Sequence, residues 1–387
     1  MNFRRLFGIF PILAISVIPT LLVWLPFYLR LKQLWGIPLP GMGMATIVAN
    51  YDGPLFMVVS KTFYNPDAIK SFFEFPLPVE YYAAHFPLFP SLIRISSLAL
   101  GYPYAMLFVT LVSGFLALLF FQKLAEDYVG RENSFWLTLF FAFIPARFLI
   151  VRSVGSAEPL FMAMILASVY FFKHSRFLYA GIFGALAQLT KSPGILLFFG
   201  YILSIVAPQL KTLSVTPLSK WVDTLNLKRL VPIFLIPLSL LAVFVLYKIR
   251  LNDFLAYFHS GDNIHLIFPP FSIFNYSAPW VGTFWLEEVL LVYLLGLLGL
   301  SKLIKNKDSV LYWITGIFLF SIFFVAHRDI MRYALPIVPF IIIAFSQTLI
   351  KREVRPIILL LMIPTYLFAI SFISQNAMPI SDWAPFL

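Results

Sequence analysis

Charged residues make up only 12% of this 387-residue chain, and those able to do chemistry fall in the breaks between long apolar runs. The first such break holds Asn50-Tyr51-Asp52-Gly53 and then Glu80-Tyr81-Tyr82-Ala83-Ala84-His85-Phe86-Pro87-Leu88-Phe89-Pro90. A carboxylate placed like Asp52 can take a proton from an attacking hydroxyl, the work of a general base. Asp-Gly is equally an ordinary turn pair in a solvated loop, so residue types alone leave both readings open.

Later breaks repeat the pattern. Ser156-Ala157-Glu158-Pro159 places an acid in the first turn of a proline-started helix, where Ser156 can act as its cap. Thr190-Lys191-Ser192-Pro193-Gly194 is a tight turn whose lysine stands beside a helix amino terminus, a seat suited to phosphate. His327-Arg328-Asp329-Ile330-Met331-Arg332-Tyr333 sets two arginines four residues apart, an expected shared helical face that suits an anion unless Asp329 neutralises one of them. A break from Asn252 to Pro270 is rich in aromatic and histidine residues, His259 among them. Arg147 and Arg152, and Lys248 and Arg250, sit in pairs at breaks of the same side. For each of these groups the competing reading is an anchor at the membrane edge, although ionisable residues there are costly and are functional candidates by default. No His/Asp ligand spacing stands out, so no metal ligand is assigned, although the surplus of outer acids leaves a metal open. The absence of cysteine excludes disulfides, thiolate metal sites and a cysteine nucleophile.

What positions these residues follows from composition. With 61% hydrophobic and 18% aromatic residues and a mean hydropathy of +0.90, the chain is no ordinary soluble domain. Apolar runs at 6–29, 103–122, 134–150, 157–172, 177–190, 193–207, 231–249, 284–301, 309–326, 333–350 and 356–374 predict an all-α, polytopic helical membrane protein. About eleven spans are expected, a crossing needing about 20 apolar residues. The runs at 177–190 and 193–207 are short and also fit a re-entrant pair. Segment 91–101, amphipathic and carrying Arg94, is expected to lie along the interface. Residues 1–387 read as one integral-membrane domain, with a long first loop at about 31–101 and a second at about 250–283.

Lysine and arginine set the orientation. Arg4, Arg5, Lys123, Arg131, Lys173, Arg176, Lys302, Lys305, Lys307, Lys351 and Arg352 share one side if the amino terminus is cytoplasmic, and most acids and histidines then lie outside. The net charge of +11 therefore points to anionic lipid and orientation rather than nucleic acid. The inner breaks read as lipid anchors and the outer breaks as a site.

Taken together, these stretches resemble the GT-C superfamily of multi-pass glycosyltransferases, and within it the PIG-V-like branch (GPI mannosyltransferase II type). Tyr51-Asp52-Gly53 is similar to that branch's aromatic-Asp-Gly pair, and Ala84-His85-Phe86-Pro87-Leu88-Phe89-Pro90 to the end of its tyrosine-rich stretch. Ser156-Ala157-Glu158-Pro159-Leu160-Phe161, Leu189-Thr190-Lys191-Ser192-Pro193-Gly194 and Arg332-Tyr333-Ala334-Leu335-Pro336 are similar to its later motifs. The similarity covers about 45 to 340, with Tyr51 where tryptophan is usual, Lys191 where arginine is usual and His85 where an apolar residue is common. The resemblance implies a polyprenyl-phosphate sugar donor, no cofactor, and a glycan, lipid or protein acceptor. It also implies a site on the extracytoplasmic face of the cell membrane. Asp52 would be the catalytic base, and Lys191, Arg328 and Arg332 would bind the donor phosphate. Glu80, Tyr81, His85, Glu158 and His259 would contact substrate, the transferred sugar being mannose or another hexose. The competing class is a transporter or flippase for lipid-linked sugars, whose signature of repeats and Gly/Pro-broken midplane spans is not evident here; a non-catalytic subunit is a third reading.

Overall fold

The computed structural model of the chain describes residues 3–73, 77–213, 227–261, 266–275 and 283–387. Among them the long elements are all helices. In chain order these are α1 (Phe3–Tyr28), the hairpin β1 (Gln33–Leu34) and β2 (Ile37–Pro38), α2 (Met44–Val48), α3 (Gly53–Thr62), α4 (Pro66–Phe72), α5 (Leu88–Leu100), α6 (Tyr102–Phe143), α7 (Ala146–Val151), α8 (Glu158–Lys173), α9 (Phe177–Thr190) and α10 (Ile195–Leu213). There follow α11 (Leu227–Ile233), α12 (Leu235–Leu251), α13 (Thr283–Lys305), α14 (Ser309–Ile322), α15 (Ile330–Ala334), α16 (Val338–Ala344), α17 (Ser346–Leu349) and α18 (Val354–Gln375). Among the described residues, five helical stretches are long and apolar enough to cross a membrane: Ile9–Tyr28, Tyr102–Phe143, Ser192–Gln209, Arg229–Leu251 and Val354–Gln375. Each apolar run of the sequence falls mainly on helix, and the all-α membrane class holds.

Two of the expected runs, 103–122 and 134–150, begin on the arms of the single element α6. It is kinked at Gly130, whose φ of 72° and ψ of 169° lie outside the helical region and suit a residue without a Cβ. In the first loop, Asn65 caps α4 by accepting from Ala68 N–H at 3.0 Å, with Pro66 in the first turn. The amphipathic segment is helix α5, which buries Phe89 and Ile93 and leaves Ile95 and Leu98 bare; this is how a helix lying in an interface divides its faces. Trp35 and Gly36, both at positive φ, turn the β1–β2 hairpin. Trp35 stands out at the end of α1, as interfacial aromatics do.

The described residues form two compact units: residues 1–163, 243–260 and 346–387, and residues 164–242 with 261–345. In the first, α1 and α5 pack along α6, α3 lies against α5, and α18 packs on α7. Arg152, expected at the membrane edge, is instead 1% exposed. One cause is a stranded carbonyl. Pro19 interrupts the α1 ladder, so the Ile15 carbonyl has no N–H to accept from. Arg152 fills that role, donating from Nη1 to Ile15 O at 3.2 Å and Ser16 O at 2.8 Å, and from Nη2 to Ala142 O at 3.3 Å.

In the second unit α10 packs on α14, α9 on α11, and α13 on both α14 and α16. Lys173, read as an inner lipid anchor, pairs with Asp308 at 2.6 Å, and Asp308 in turn caps α14 by accepting from Leu311 N–H.

The orientation read from lysine and arginine has a direct check in a chain without cysteine. Asp67 and Ala384 are exposed, while Asp262 lies outside the described residues. Asp67→Cys, Asp262→Cys and Ala384→Cys should each react with a membrane-impermeant maleimide in intact cells. Labelling of only one or two of the three would contradict a cytoplasmic amino terminus.

Candidate active site

The Asn50–Gly53 turn forms as the residue types suggest: Gly53 N–H donates to Asn50 O at 3.1 Å, and Tyr51 takes a positive φ of 48°. The plain turn reading is incomplete, however. Asp52 flanks α3 on its amino-terminal side, yet its side chain makes no capping hydrogen bond to that helix. The carboxylate is half-buried and is not used for helix initiation. Gly53 is required by close approach, since a Cβ there would stand 2.3 Å from Val48 O. Met106 from α6 fills the space between Gly53 and Gly155, its Cε lying 3.2 Å from a Cβ built on the first and 2.3 Å from one built on the second. The Asp52 turn and the loop running into Glu158 are thereby packed around one methionine.

That loop is buried. Glu158 is 3% exposed and accepts a hydrogen bond from the Ser156 hydroxyl, while Ser156 N–H donates to Thr110 Oγ1 at 3.5 Å. The serine predicted as a helix cap spends its hydroxyl on the acid instead. On the other side of Asp52, Asn50 is fully buried. Its Nδ2 donates to Ile373 O at 2.8 Å, and its Oδ1 accepts from Asn376 Nδ2 at 3.1 Å. Backbone pairing with the residues after α18 adds Met378 N–H to Ala49 O at 2.7 Å. Tyr51 receives a hydrogen bond from Arg147 Nη1 at 3.2 Å.

Glu80, Tyr81 and His85 belong to the 3₁₀ turn Val79–Ala84 and its end. His85 is 5% exposed, its ring edge-on to Phe56 at 4.9 Å and tilted to Tyr81 at 5.9 Å. Tyr81 is half-buried and Glu80 exposed. Burial pushes the Tyr82 phenol up to about 12, so this tyrosine keeps its proton at neutral pH. His259 is exposed and hydrogen-bonded through Nδ1 to Asp253 at 2.6 Å. That bond holds the Asp253 carboxyl below its ordinary value, so the contact steadies the loop above the usual carboxylate range and is lost as the pH falls through the lowered value.

The second unit carries the three predicted phosphate ligands. Lys191, half-buried, follows α9 in the expected tight turn, closed by Gly194 N–H donating to Lys191 O at 3.0 Å just before α10 begins. The expected shared helical face of Arg328 and Arg332 is not present. Asp329 N–H donates to His327 Nδ1 at 3.0 Å, and α15 starts only at Ile330. Arg328, exposed, precedes the helix, while Arg332, half-buried, is within it. An apolar groove of about 470 Å³ runs between α10 and α14, lined by Leu196, Phe199, Leu203, Ile317 and Phe320, with Leu266 beside them. Among the described residues no group of three or more His, Asp or Glu is placed to hold a metal.

Sequence reasoning missed Arg147, which it assigned to the membrane edge. The residue is 9% exposed, with its guanidinium 4.1 Å from the Phe372 ring centroid. The signal was available, because an arginine inside the run 134–150 is itself a functional candidate. Asn376 carried no such signal.

No protein-family profile matches the sequence, and no curated protein does. Solved structures do resemble it. ArnT from Cupriavidus metallidurans bound to undecaprenyl phosphate superposes with a TM-score of 0.59 at 13% identity, over 94% of this chain and 77% of that one. The apo state of the same protein gives 0.56 at 14%, over 94% and 76%. The Archaeoglobus fulgidus oligosaccharyltransferase in its apo form gives 0.52 at 15%, over 96% of this chain and 57% of that longer one. At such identities the likeness is one of architecture: the chain shares the fold of these two proteins.

Proposed function

We propose that this protein is a multi-pass glycosyltransferase of the cell membrane, of the PIG-V-like type. It transfers a sugar, mannose or another hexose, from a polyprenyl-phosphate-linked donor to an acceptor hydroxyl of a glycan, lipid or protein. The site faces the extracytoplasmic side, the amino terminus is cytoplasmic, and the chain crosses about eleven times. The observation that carries this reading is Asp52: a half-buried carboxylate at a helix start that it does not cap, packed through Met106 against the buried Ser156–Glu158 loop, in a chain that shares the fold of ArnT.

The chemistry is a single inverting displacement. Asp52 accepts the proton of the acceptor hydroxyl as that oxygen attacks the anomeric carbon, and the bond from that carbon to the phosphate oxygen breaks. The leaving polyprenyl phosphate keeps the electron pair, and Lys191, Arg328 and Arg332 supply the counter-charge. Glu158 and His85, both buried, are suited to orienting roles; Tyr81, Glu80 and His259 reach sugar hydroxyls from more exposed positions. The groove between α10 and α14 suits the isoprenoid tail. It begins at Leu196, soon after the Lys191 turn, and includes Phe324, shortly before Arg328. Support for a lipid-phosphate donor comes from ArnT, whose structure holds undecaprenyl phosphate.

Membranes enriched in this protein should pass radiolabel from a polyprenyl-phosphate sugar to an acceptor fraction above control membranes. Movement of the intact lipid-linked sugar between leaflets without transfer would favour a flippase instead. Lys191→Ala and Arg332→Ala should each raise the donor KM about tenfold or more, the loss expected of a charge-assisted hydrogen bond worth about 1.5–3 kcal/mol. Unchanged donor KM in both variants would remove them from the phosphate site.

A further inference from the structure

We infer that Arg147 positions Asp52, acting through Tyr51, and that the carboxyl-terminal end of α18 is the second jaw of the same clamp. The kinetic part of this inference rests on the transferase reading; the structural part does not.

The starting point is the backbone of Tyr51. Its φ of 48° belongs to the left-handed region, which a bulky L residue rarely adopts and which persists only where the surroundings over-determine it. Those surroundings are on two sides. From α7, Arg147 donates to the Tyr51 hydroxyl at 3.2 Å. Its guanidinium lies 4.1 Å from the Phe372 centroid and 6.0 Å from that of Phe368, both on α18. The Tyr51 ring is itself 5.7 Å from Phe372. From the end of α18, Ile373, Asn376 and Met378 hold Asn50 and Ala49 by the hydrogen bonds described above.

Residues 49 to 51 are thus fixed at the backbone and at two side chains, and Asp52 is the next residue. An anchor at the membrane edge would keep its charge in water or among headgroups. Arg147 instead is 9% exposed and is enclosed by rings that favour a cation electrostatically. Releasing Tyr51 from its left-handed conformation would turn the Asp52 carboxylate away from its present direction. Misplacing a catalytic group by about 1 Å can cost about 10²-fold in rate.

The test has two arms, run on the full-length protein. In the first, amide hydrogen exchange is followed in wild type, Arg147→Met, Tyr51→Phe and Asn376→Ala. Faster exchange confined to residues 49–53 and 376–378, with α10 protected as in wild type, is expected for all three variants. Wild-type exchange in those two segments for Arg147→Met and Tyr51→Phe overturns the inference, as does a global loss of protection in Tyr51→Phe, the mildest change. In the second arm, Arg147→Met and Tyr51→Phe each lower kcat by about 10²-fold with little change in KM, and the double variant is no worse than Arg147→Met alone, because both cut one pathway. Additive losses, or loss in KM alone, also overturn it. If wild type transfers no sugar from any polyprenyl-phosphate donor, it is the transferase reading that fails, and the exchange arm alone decides the clamp.

Discussion

Asp52→Asn should reduce sugar transfer by about 10² to 10⁴-fold while leaving folding and donor binding close to wild type, the loss expected when a general base is removed. The amide keeps nearly the same shape but accepts no proton. Folding should be spared because the amide is nearly isosteric with the carboxylate, and the turn is held by Asn50, Tyr51 and Gly53 through contacts the substitution leaves alone. Glu80→Gln and Glu158→Gln separate a base from a general need for outer charge, which would lower all three alike. Of the two, the exposed Glu80 should cost less than Glu158, which is buried and hydrogen-bonded to Ser156. Retention of more than about a tenth of wild-type transfer by Asp52→Asn lies far above the range for a lost base and would pass the role to another residue.

Arg152→Met should be the most destabilising single change in the chain. It strands the Ile15 and Ala142 carbonyls where the side chain is 1% exposed, while the Ser16 carbonyl keeps the Thr20 hydroxyl at 3.0 Å. An unsatisfied buried group costs about 1–3 kcal/mol, so a loss of about 2–6 kcal/mol is expected for the two. In detergent this should lower the melting midpoint by roughly 3–7 °C. The explanation makes a second, sharper demand. Pro19→Ala restores an N–H for the Ile15 carbonyl, so the double variant should regain part of what Arg152→Met loses. Absence of any rescue, or a midpoint within about 2 °C of wild type, would mean that those carbonyls are served in some other way.

The helices were legible because a membrane leaves backbone groups few ways to be satisfied, so an apolar run of sufficient length is nearly a helix assignment in itself. Short local signals also read correctly: the tight turn at Lys191 and the Asp52-Gly53 turn depend on residues within a few positions of one another. What stayed hidden was longer in range. Asn50 finds the Ile373 carbonyl 323 positions away, and nothing in either segment names the other. Arg147 and Arg152 looked like edge anchors because a sequence shows where a charge sits along the chain but not which carbonyl a distant proline has stranded. Arg328 was placed on a helix by spacing alone, and one hydrogen bond from Asp329 N–H to the His327 ring marks a turn that spacing does not encode. Within the candidate site, then, Asp52 and Glu158 were legible as residues, while the clamp around them was visible only in three dimensions.

Movement of a sugar from a polyprenyl-phosphate carrier by this chain can be measured with purified protein. Wild type and Asp52→Asn would be incubated with a panel of radiolabelled polyprenyl-phosphate sugars and hydroxyl acceptors, and the product's anomeric configuration determined. The account predicts transfer by wild type from at least one donor, inversion at the anomeric carbon, and loss of that transfer in Asp52→Asn. Transfer that survives Asp52→Asn, proceeds with retention, or fails with every donor while the protein remains folded would contradict it.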